Sequence, residues 1–223
     1  KNIKKNLSQY YMAKKYELGI REIELLNNYC KKKKINFLAS IFDIKSLKIY
    51  LNLKKKYIKI PSGEITNYEL LSEISNYNFI VFLSTGMSTI REIKNAVKIL
   101  KSMKKIKEIY LMQCTSDYPC KDEDANLLVI NKLKTIFKCK VGFSDHTIGA
   151  DSASIAYTLG AEVFEKHITL NKKMIGPDHL ASSEINEFNK YIQKINKTKI
   201  LLGKNEKKPT KNELMTMKLV RKS

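Results

Sequence analysis

Long apolar runs are missing from this sequence. It contains no stretch of about eighteen apolar residues and opens KNIKKNLSQYYMAKK, so we expect neither a membrane-spanning helix nor a signal peptide. Its four cysteines, Cys30, Cys114, Cys120 and Cys139, are too few for a disulfide framework in 223 residues, and their spacing does not fit a zinc ribbon. We therefore expect reduced thiols and a cytoplasmic location.

Arginine is almost absent from a strongly basic chain. The formal net charge is +20, yet only Arg21, Arg91 and Arg221 are arginines among the 42 basic residues. Proteins that read nucleic acid depend on arginine forks for bases and phosphates, whereas the lysines here are spread along the whole chain. We interpret the charge as a compositional bias. A nucleic-acid-binding protein and a positive field that attracts an anionic substrate remain alternatives.

The hydrophobic residues, 43% of the chain, form short β-rich runs that alternate with amphipathic helical stretches. Strands that alternate with helices in this way are typical of parallel βαβ units. Two helical segments, roughly 8–34, precede the first strand. The predicted strands are 35–40, 57–62, 78–85, 108–114, 140–144 and 162–167, and the predicted helices between them include 88–103, 124–137 and 149–160.

Polar residues at the strand ends decide between two α/β architectures. Five of the six strands end in a small hydroxyl or charged group, and the carboxyl ends of barrel strands meet at one face, where active sites are built. No GxGxxG motif follows any strand, so a nucleotide-binding doubly wound sheet is unsupported. We predict a partial (β/α)8 TIM barrel with about six parallel strands over residues 1–202. Residues 203–223 are polar, carry no strand pattern and are predicted to be a linker.

Two of the three histidines follow successive strands. His146 and His167 lie one βα repeat apart, and both stand at the carboxyl end of a predicted strand. Two imidazoles with open positions beside them suit a divalent metal such as Mn, Zn or Fe, completed by water or substrate. The alternative is two unrelated polar residues at loop starts.

Further candidate residues surround a predicted anion site. In IKIPSGE, strand alternation turns Lys59 into the barrel, where a buried lysine needs an anionic partner, and Ser62 and Glu64 follow. Ser84, in LSTGMST, precedes a helix start that suits phosphate, although a simple helix cap is the alternative. Ser116 and Tyr118, in QCTSDYPC, are candidates for sugar hydroxyls or phosphate. Asp178 lies in the Gly-Pro loop of MIGPDHLAS; for both stretches a turn is the alternative.

Five stretches in order resemble the N-acetylneuraminate (sialic acid) synthase family, which includes legionaminate and pseudaminate synthases and spore-coat polysaccharide homologues. They are IPSGEITNYELL, LSTGMST, QCTSDYP, GFSDHTIG and EKHITLNKKMIGPDHLAS, and the resemblance runs from about Leu7 to Ser223. It implies a TIM barrel followed by a small antifreeze-like domain. It also implies condensation of phosphoenolpyruvate with an N-acetylated amino sugar, which gives a nonulosonic acid and phosphate. The amino sugar itself is left open.

The resemblance assigns roles to the candidate residues. His146 and His167 match ligands of a divalent metal, with Mn²⁺ first and Mg²⁺ or Co²⁺ as alternatives. On the phosphoenolpyruvate side stand four residues that match its phosphate and carboxylate contacts: Lys59, Ser62, Ser84 and Ser144. On the sugar side Glu64, Tyr118 and Asp178 match, with Glu64 and Asp178 as candidates for moving protons. The sequence departs from the family at Ser116, where some relatives have asparagine, and at Ser40-Ile41, where a Thr-Pro pair is usual.

The resemblance also implies parts that the 223 residues do not contain. The family begins with two further strands that carry active-site residues, and its members are homodimers in which the antifreeze-like domain lends an arginine to the partner's site. We therefore expect a piece of a synthase that is inactive or nearly inactive alone. The alternative is a remnant that binds sugar or metal without catalysis.

Overall fold

The computed structural model of the chain describes residues 9–222 and shows an α/β fold. Residues 1–8 and Ser223, which fall at the ends of the predicted helical and linker segments, lie outside the described residues. The strands are β1 (Tyr57–Ile60), β2 (Ile80–Ser84), β3 (Glu108–Cys114), β4 (Lys140–Asp145), β5 (Val163–Lys166), β6 (Ile168–Thr169) and β7 (Ser183–Glu184). The helices are α1 (Gln9–Tyr16), α2 (Ile20–Lys32), α3 (Ile44–Asn52), α4 (Tyr68–Ser75), α5 (Ile90–Leu100), α6 (Val129–Phe137), α7 (Asp151–Thr158), α8 (Ile185–Leu202) and α9 (Lys211–Val220).

Strands β1 to β5 form one parallel sheet in sequence order. In a flat sheet the first and fifth strands would lie about 19 Å apart, at a spacing of ~4.8 Å per strand. Here the ammonium of Lys59 on β1 lies 3.6 Å from a carboxylate oxygen of Glu165 on β5. The sheet is therefore strongly curled, and the five strands form the part of a barrel that the sequence predicted.

The two faces of the curled sheet have different side chains. Apolar residues on the outer face, such as Ile58, Leu83 and Leu111, are fully buried beneath the helices. Strand register places Lys59 and Ser144 on the opposite, inner face, because successive side chains alternate between faces. The hydrophobic core thus lies between sheet and helices, and polar side chains gather inside the barrel.

The first predicted strand is wrong in extent. Of residues 35–40 only Ser40 pairs with the sheet, through an isolated parallel bridge to Lys59. Ile35 and Leu38 are exposed. Within the described residues this segment has β1 alone to pair with, so it gains few of the hydrogen bonds that hold a central strand. The sheet therefore contains five strands and one bridge instead of six strands.

Two features were not predicted. Strands β6 and β7 form a separate parallel pair of two residues each, too short to give a periodic signal. Helix α9 lies within the segment predicted as a linker, and a capping box of Thr210 and Glu213 begins it. The longest helix, α8, has 18 residues. Within residues 9–222 no helix combines the length and apolar character that a membrane span requires.

Candidate active site

Lys59 lies at the centre of the polar inner face. Its side chain is almost completely buried, and its ammonium donates a hydrogen bond of 2.8 Å to the Ser84 hydroxyl on the adjacent strand. Glu165, three strands beyond Ser84, lies 3.6 Å away and provides the negative charge that a buried lysine needs. Burial lowers the pKa of Lys59, and Glu165 opposes that shift.

Three small side chains converge around Gly86, at the carboxyl ends of β2 and β3. The Gly86 amide donates to the Ser62 hydroxyl at 3.0 Å. A Cβ atom placed on Gly86 would contact the Ser116 hydroxyl, would lie 2.9 Å from the Ser62 oxygen and would lie 3.3 Å from the Cys114 sulfur. Any side chain at this position would therefore displace one or more of these groups. The absence of a side chain lets hydroxyls from two loops approach the backbone.

Two imidazoles and a phenol ring form the neighbouring part of the site. The ring centroids of His146 and His167 are 5.3 Å apart, and Tyr118 lies 4.1 Å from His146 and 5.3 Å from His167. The proximity follows from the register, because Ser144 pairs with Glu165 and each histidine stands two residues beyond its member of that pair. The structure thus brings the two predicted metal ligands together.

The protonation of His146 is fixed by its backbone contact. Its Nδ1 lies 2.6 Å from the Thr115 carbonyl oxygen, which can only accept, so Nδ1 carries the proton and donates. The Nε2 lone pair is then available to a metal. Burial lowers the pKa of His146 and so favours the neutral ring; His167 lowers it further, while the bond to Thr115 opposes the shift.

The donor set fits a metal that the protein only partly surrounds. Imidazoles on adjacent strands are ordinary ligands of first-row divalent ions. Within residues 9–222 no group of three histidine, cysteine, aspartate or glutamate side chains is arranged to hold an ion. His146 and His167 would therefore leave positions for water or substrate, which is typical of catalytic metal centres.

Three further predicted residues, Ser144, Glu64 and Asp178, each have partners of their own. Ser144 joins the inner face through a 3.4 Å hydrogen bond to Glu165. Glu64 follows β1, and Asn67 donates to its carboxylate at 2.8 Å. Asp178 has a left-handed backbone with φ of 62°, and its carbonyl accepts from the loop that follows. Burial raises the pKa of Tyr118 to about 12, and nearby acidic groups, Asp178 among them, add to the rise.

Sequence reasoning missed Glu165. The residue links the anion part of the site to the histidine part, because it contacts Lys59 and Ser144 and its charge raises the pKa of His146. A signal was available, since Glu165 stands two residues before His167 and must share its strand face. The stretch EKH was interpreted for its histidine alone.

Comparison with known proteins identifies the family of the chain. The NeuB family matches residues 1–207. The chain is 41% identical to the N,N'-diacetyllegionaminic acid synthase of Campylobacter jejuni, over 97% of this chain and 65% of the relative. It spans less than two thirds of the length of the curated relatives that it matches first.

Comparison with solved structures finds related proteins with the same fold. A sialic acid synthetase from Leptospira borgpetersenii, crystallised with citrate, superposes with a TM-score of 0.85 at 33% identity, over 93% of this chain and 72% of that one. A truncated 3-deoxy-D-arabino-heptulosonate 7-phosphate synthase from Thermotoga maritima shares the fold, with a TM-score of 0.73 at 19% identity, over 84% of this chain and 74% of that one. Because the family match spans residues 1–207, nearly the whole chain, the chain belongs to the NeuB family.

Proposed function

We propose that the chain provides the metal and phosphoenolpyruvate sites of a synthase that condenses phosphoenolpyruvate with an N-acetylated amino sugar. The products are a nonulosonic acid and phosphate. One observation carries the proposal: a buried lysine with converging hydroxyls lies beside two paired imidazoles on one face of the half-barrel. An anion site next to a metal site is the arrangement that this reaction needs.

The anion would bind at Lys59. Its partner Glu165 has a side chain that is 40% exposed, so the carboxylate can move aside when a stronger anion arrives. A phosphate or carboxylate oxygen would then accept from the buried ammonium, where water does not weaken the interaction. Hydroxyls of Ser62, Ser84, Ser116 and Ser144 surround the same volume and supply neutral donors.

His146 and His167 would hold the divalent metal, with Mn²⁺ as the proposed ion. When bound, it supplies Lewis-acid polarisation of the aldehyde of the sugar. The protein's own part is to keep Nε2 of His146 unprotonated through the bond to Thr115 and to exclude water by burial. The enol carbon of phosphoenolpyruvate attacks the aldehyde, water adds to the resulting cationic carbon, and phosphate leaves.

Tyr118, Glu64 and Asp178 would face the sugar. Since the pKa of Tyr118 is raised to about 12, the phenol stays protonated at neutral pH and donates a hydrogen bond to a sugar oxygen. Glu64 and Asp178 are the proposed groups for proton transfer or for sugar hydroxyls. The four cysteines are free thiols, which is consistent with the proposed cytoplasmic location. A homodimer is proposed for the longer protein alone.

The alkaline limit of phosphoenolpyruvate binding should report on Lys59. Burial lowers the pKa of Lys59, and Glu165 raises it toward the ordinary value. The charged form binds the anion, so affinity falls as pH rises through this pKa. Glu165→Gln removes the raising influence and should move the decline to lower pH.

Calorimetry with phosphoenolpyruvate between about pH 7 and pH 10 measures the decline against the ordinary lysine value. Glu162→Gln is the matched control, because Glu162 is half exposed and pairs with Lys140 at 4.0 Å instead. A decline that stays in place in Glu165→Gln, or that moves to higher pH, would contradict the role given to Lys59.

Phosphate release tests the proposed reaction. A protein that contains these 223 residues within the full family length is incubated with phosphoenolpyruvate, Mn²⁺ and a panel of N-acetylated amino sugars. Release should require all three components and should fall by about 10²–10³ or more in Lys59→Met, because a preorganised charge is lost. Phosphate release that occurs without any sugar would refute the proposed condensation. A complete absence of release with every sugar in the panel would refute it as well.

A further inference from the structure

Asp145 and Lys166 directly precede the two histidines of the site. They are register partners at the ends of β4 and β5. Because side chains alternate along a strand, His146 and His167 face inward while Asp145 and Lys166 face the outer layer of helices. The side chains of Asp145 and Lys166 thus lie directly behind those of His146 and His167, on the opposite face of the sheet.

The outward pair is a completely buried ion pair. The Lys166 ammonium lies 3.1 Å from a carboxylate oxygen of Asp145, and the side chains are 2% and 0% exposed. The other carboxylate oxygen accepts from the amide of Thr147 at 2.8 Å and from its hydroxyl at 2.7 Å. Ser152, in the first turn of α7, donates to the paired oxygen at 2.8 Å. Every lone-pair direction of the carboxylate is therefore used.

Lys166 is held as firmly as its partner. Its ammonium donates to the Thr147 carbonyl and lies 5.2 Å from the ring centroid of Tyr191 on α8. A further hydrogen bond holds the backbone at His146, because the Cys120 amide donates to the His146 carbonyl at 2.8 Å. The network therefore joins the ends of two strands, the start of α7 and the loop that carries Tyr118.

Stability alone does not explain such a pair. Removing two charges from water costs as much as their attraction returns, and apolar residues of similar volume are often equally stabilising. A buried, fully hydrogen-bonded pair instead fixes relative position, because both side chains must meet in one geometry. Because the pair lies directly behind His146 and His167, the position that it fixes is that of the two histidine side chains.

We propose that the Asp145–Lys166 ion pair positions the imidazoles of His146 and His167 for a shared metal. Both are positioning residues, since neither faces the inside of the barrel. The inference rests on the metal site of the proposed function. A partner that hydrogen-bonds a ligating imidazole directly typically contributes about 10–100-fold to metal affinity, and we take this range for a pair that acts on both histidines through their backbone.

The test replaces both charges at once in the 223-residue chain. Asp145→Asn with Lys166→Met keeps the shape of both side chains, lets the amide accept from Thr147 and leaves no unpaired buried charge. Mn²⁺ affinity is measured from the electron paramagnetic resonance of free Mn²⁺, and folding from circular dichroism. We expect a folded variant whose affinity is about 10–100-fold weaker. The control, Glu187→Gln with Lys172→Met, removes a partly exposed ion pair of 2.7 Å and should keep the original affinity.

A readout without metal separates this inference from the proposed function. Nuclear Overhauser effects between the rings of His146 and His167 report their contact in the metal-free chain. We expect the effects in the parent chain and their loss in the double variant. If the parent does not bind Mn²⁺, the metal proposal fails while the ring contact still decides the positioning role.

Unchanged affinity and unchanged ring contacts in a folded double variant would overturn the inference. If the double variant does not fold, Ser152→Ala is measured in the same way, because it removes one hydrogen bond from Asp145 and leaves both charges paired; a smaller loss in the same direction is expected, and unchanged affinity with unchanged ring contacts would overturn the inference. Lys166→Arg, which keeps the charge and the contact with Tyr191, should retain more of the affinity than Lys166→Met.

Discussion

Replacing both His146 and His167 with alanine is expected to weaken Mn²⁺ binding by more than a hundredfold. The two imidazoles lie side by side, and within residues 9–222 no third acidic, thiol or imidazole group completes a metal site with them. Loss of a supporting partner costs about 10–100-fold, so loss of both ligands should cost more. Each single variant should weaken binding to an intermediate extent. Free Mn²⁺ measured by electron paramagnetic resonance gives the affinities.

The third histidine provides the matched control. His179 bonds to Thr169 at 2.8 Å through its ring and lies in the loop between β6 and β7. His179→Ala should bind Mn²⁺ as the parent does. Equal loss in His179→Ala and in the double variant would show that histidines in general, and not the paired ones, hold the ion.

The 223-residue chain assayed alone is expected to turn over at least about 10²–10³-fold more slowly than a full-length relative, which is the usual cost of a single lost electrostatic contact. The reason lies at the edge of the sheet. Strand β1 has a full partner in β2, but on its other side, within residues 9–222, it has only the bridge at Ser40. An unclosed parallel edge leaves one wall of the site unbuilt and its strand free to move.

Exposed apolar side chains mark the same edge. Ile35 is 65% exposed and Phe42 is 57% exposed, on either side of the Ser40 bridge. Surface of this kind also favours association of the isolated chain.

The test compares the full-length Campylobacter jejuni relative with a shortened form of the same protein. Trimming that protein to the 217 residues that align with this chain should lower its turnover by a similar factor. Turnover of the trimmed relative at the full-length rate would show that the open edge does not matter. Recovery of rate when the removed segments are added as separate polypeptides would support completion of the half-barrel.

The sequence predicted the strands correctly where the local pattern of apolar and polar residues determines their extent. The strand from Glu108 to Cys114 was predicted to the residue, because a run of apolar and aromatic side chains is bounded by polar loops. The segment 35–40 failed because strand formation there depends on a partner that local pattern does not reveal. Helix α9 had a visible capping box, but its polar composition favoured a linker.

The sequence predicted those features of the site that depend on the alternation of side chains along a single strand. Period two turned Lys59 inward and put both histidines at strand ends, and the structure agrees. The partners of these residues depend on register between distant strands. Glu165 beside Lys59, and Lys166 beside Asp145, follow only once β4 and β5 are aligned and the sheet is curled.

Phosphorus relaxation of bound phosphoenolpyruvate tests most directly whether the anion and metal sites are one site. Mn²⁺ is paramagnetic and speeds relaxation only of nuclei close to it, so the measurement requires binding but no turnover. The account predicts fast ³¹P relaxation with the parent chain and Mn²⁺. It also predicts loss of that effect both in Lys59→Met, which cannot hold the anion, and in His146→Ala with His167→Ala, which cannot hold the ion. Relaxation that is equally fast in the parent and in both variants would contradict a shared site on the inner face of the half-barrel.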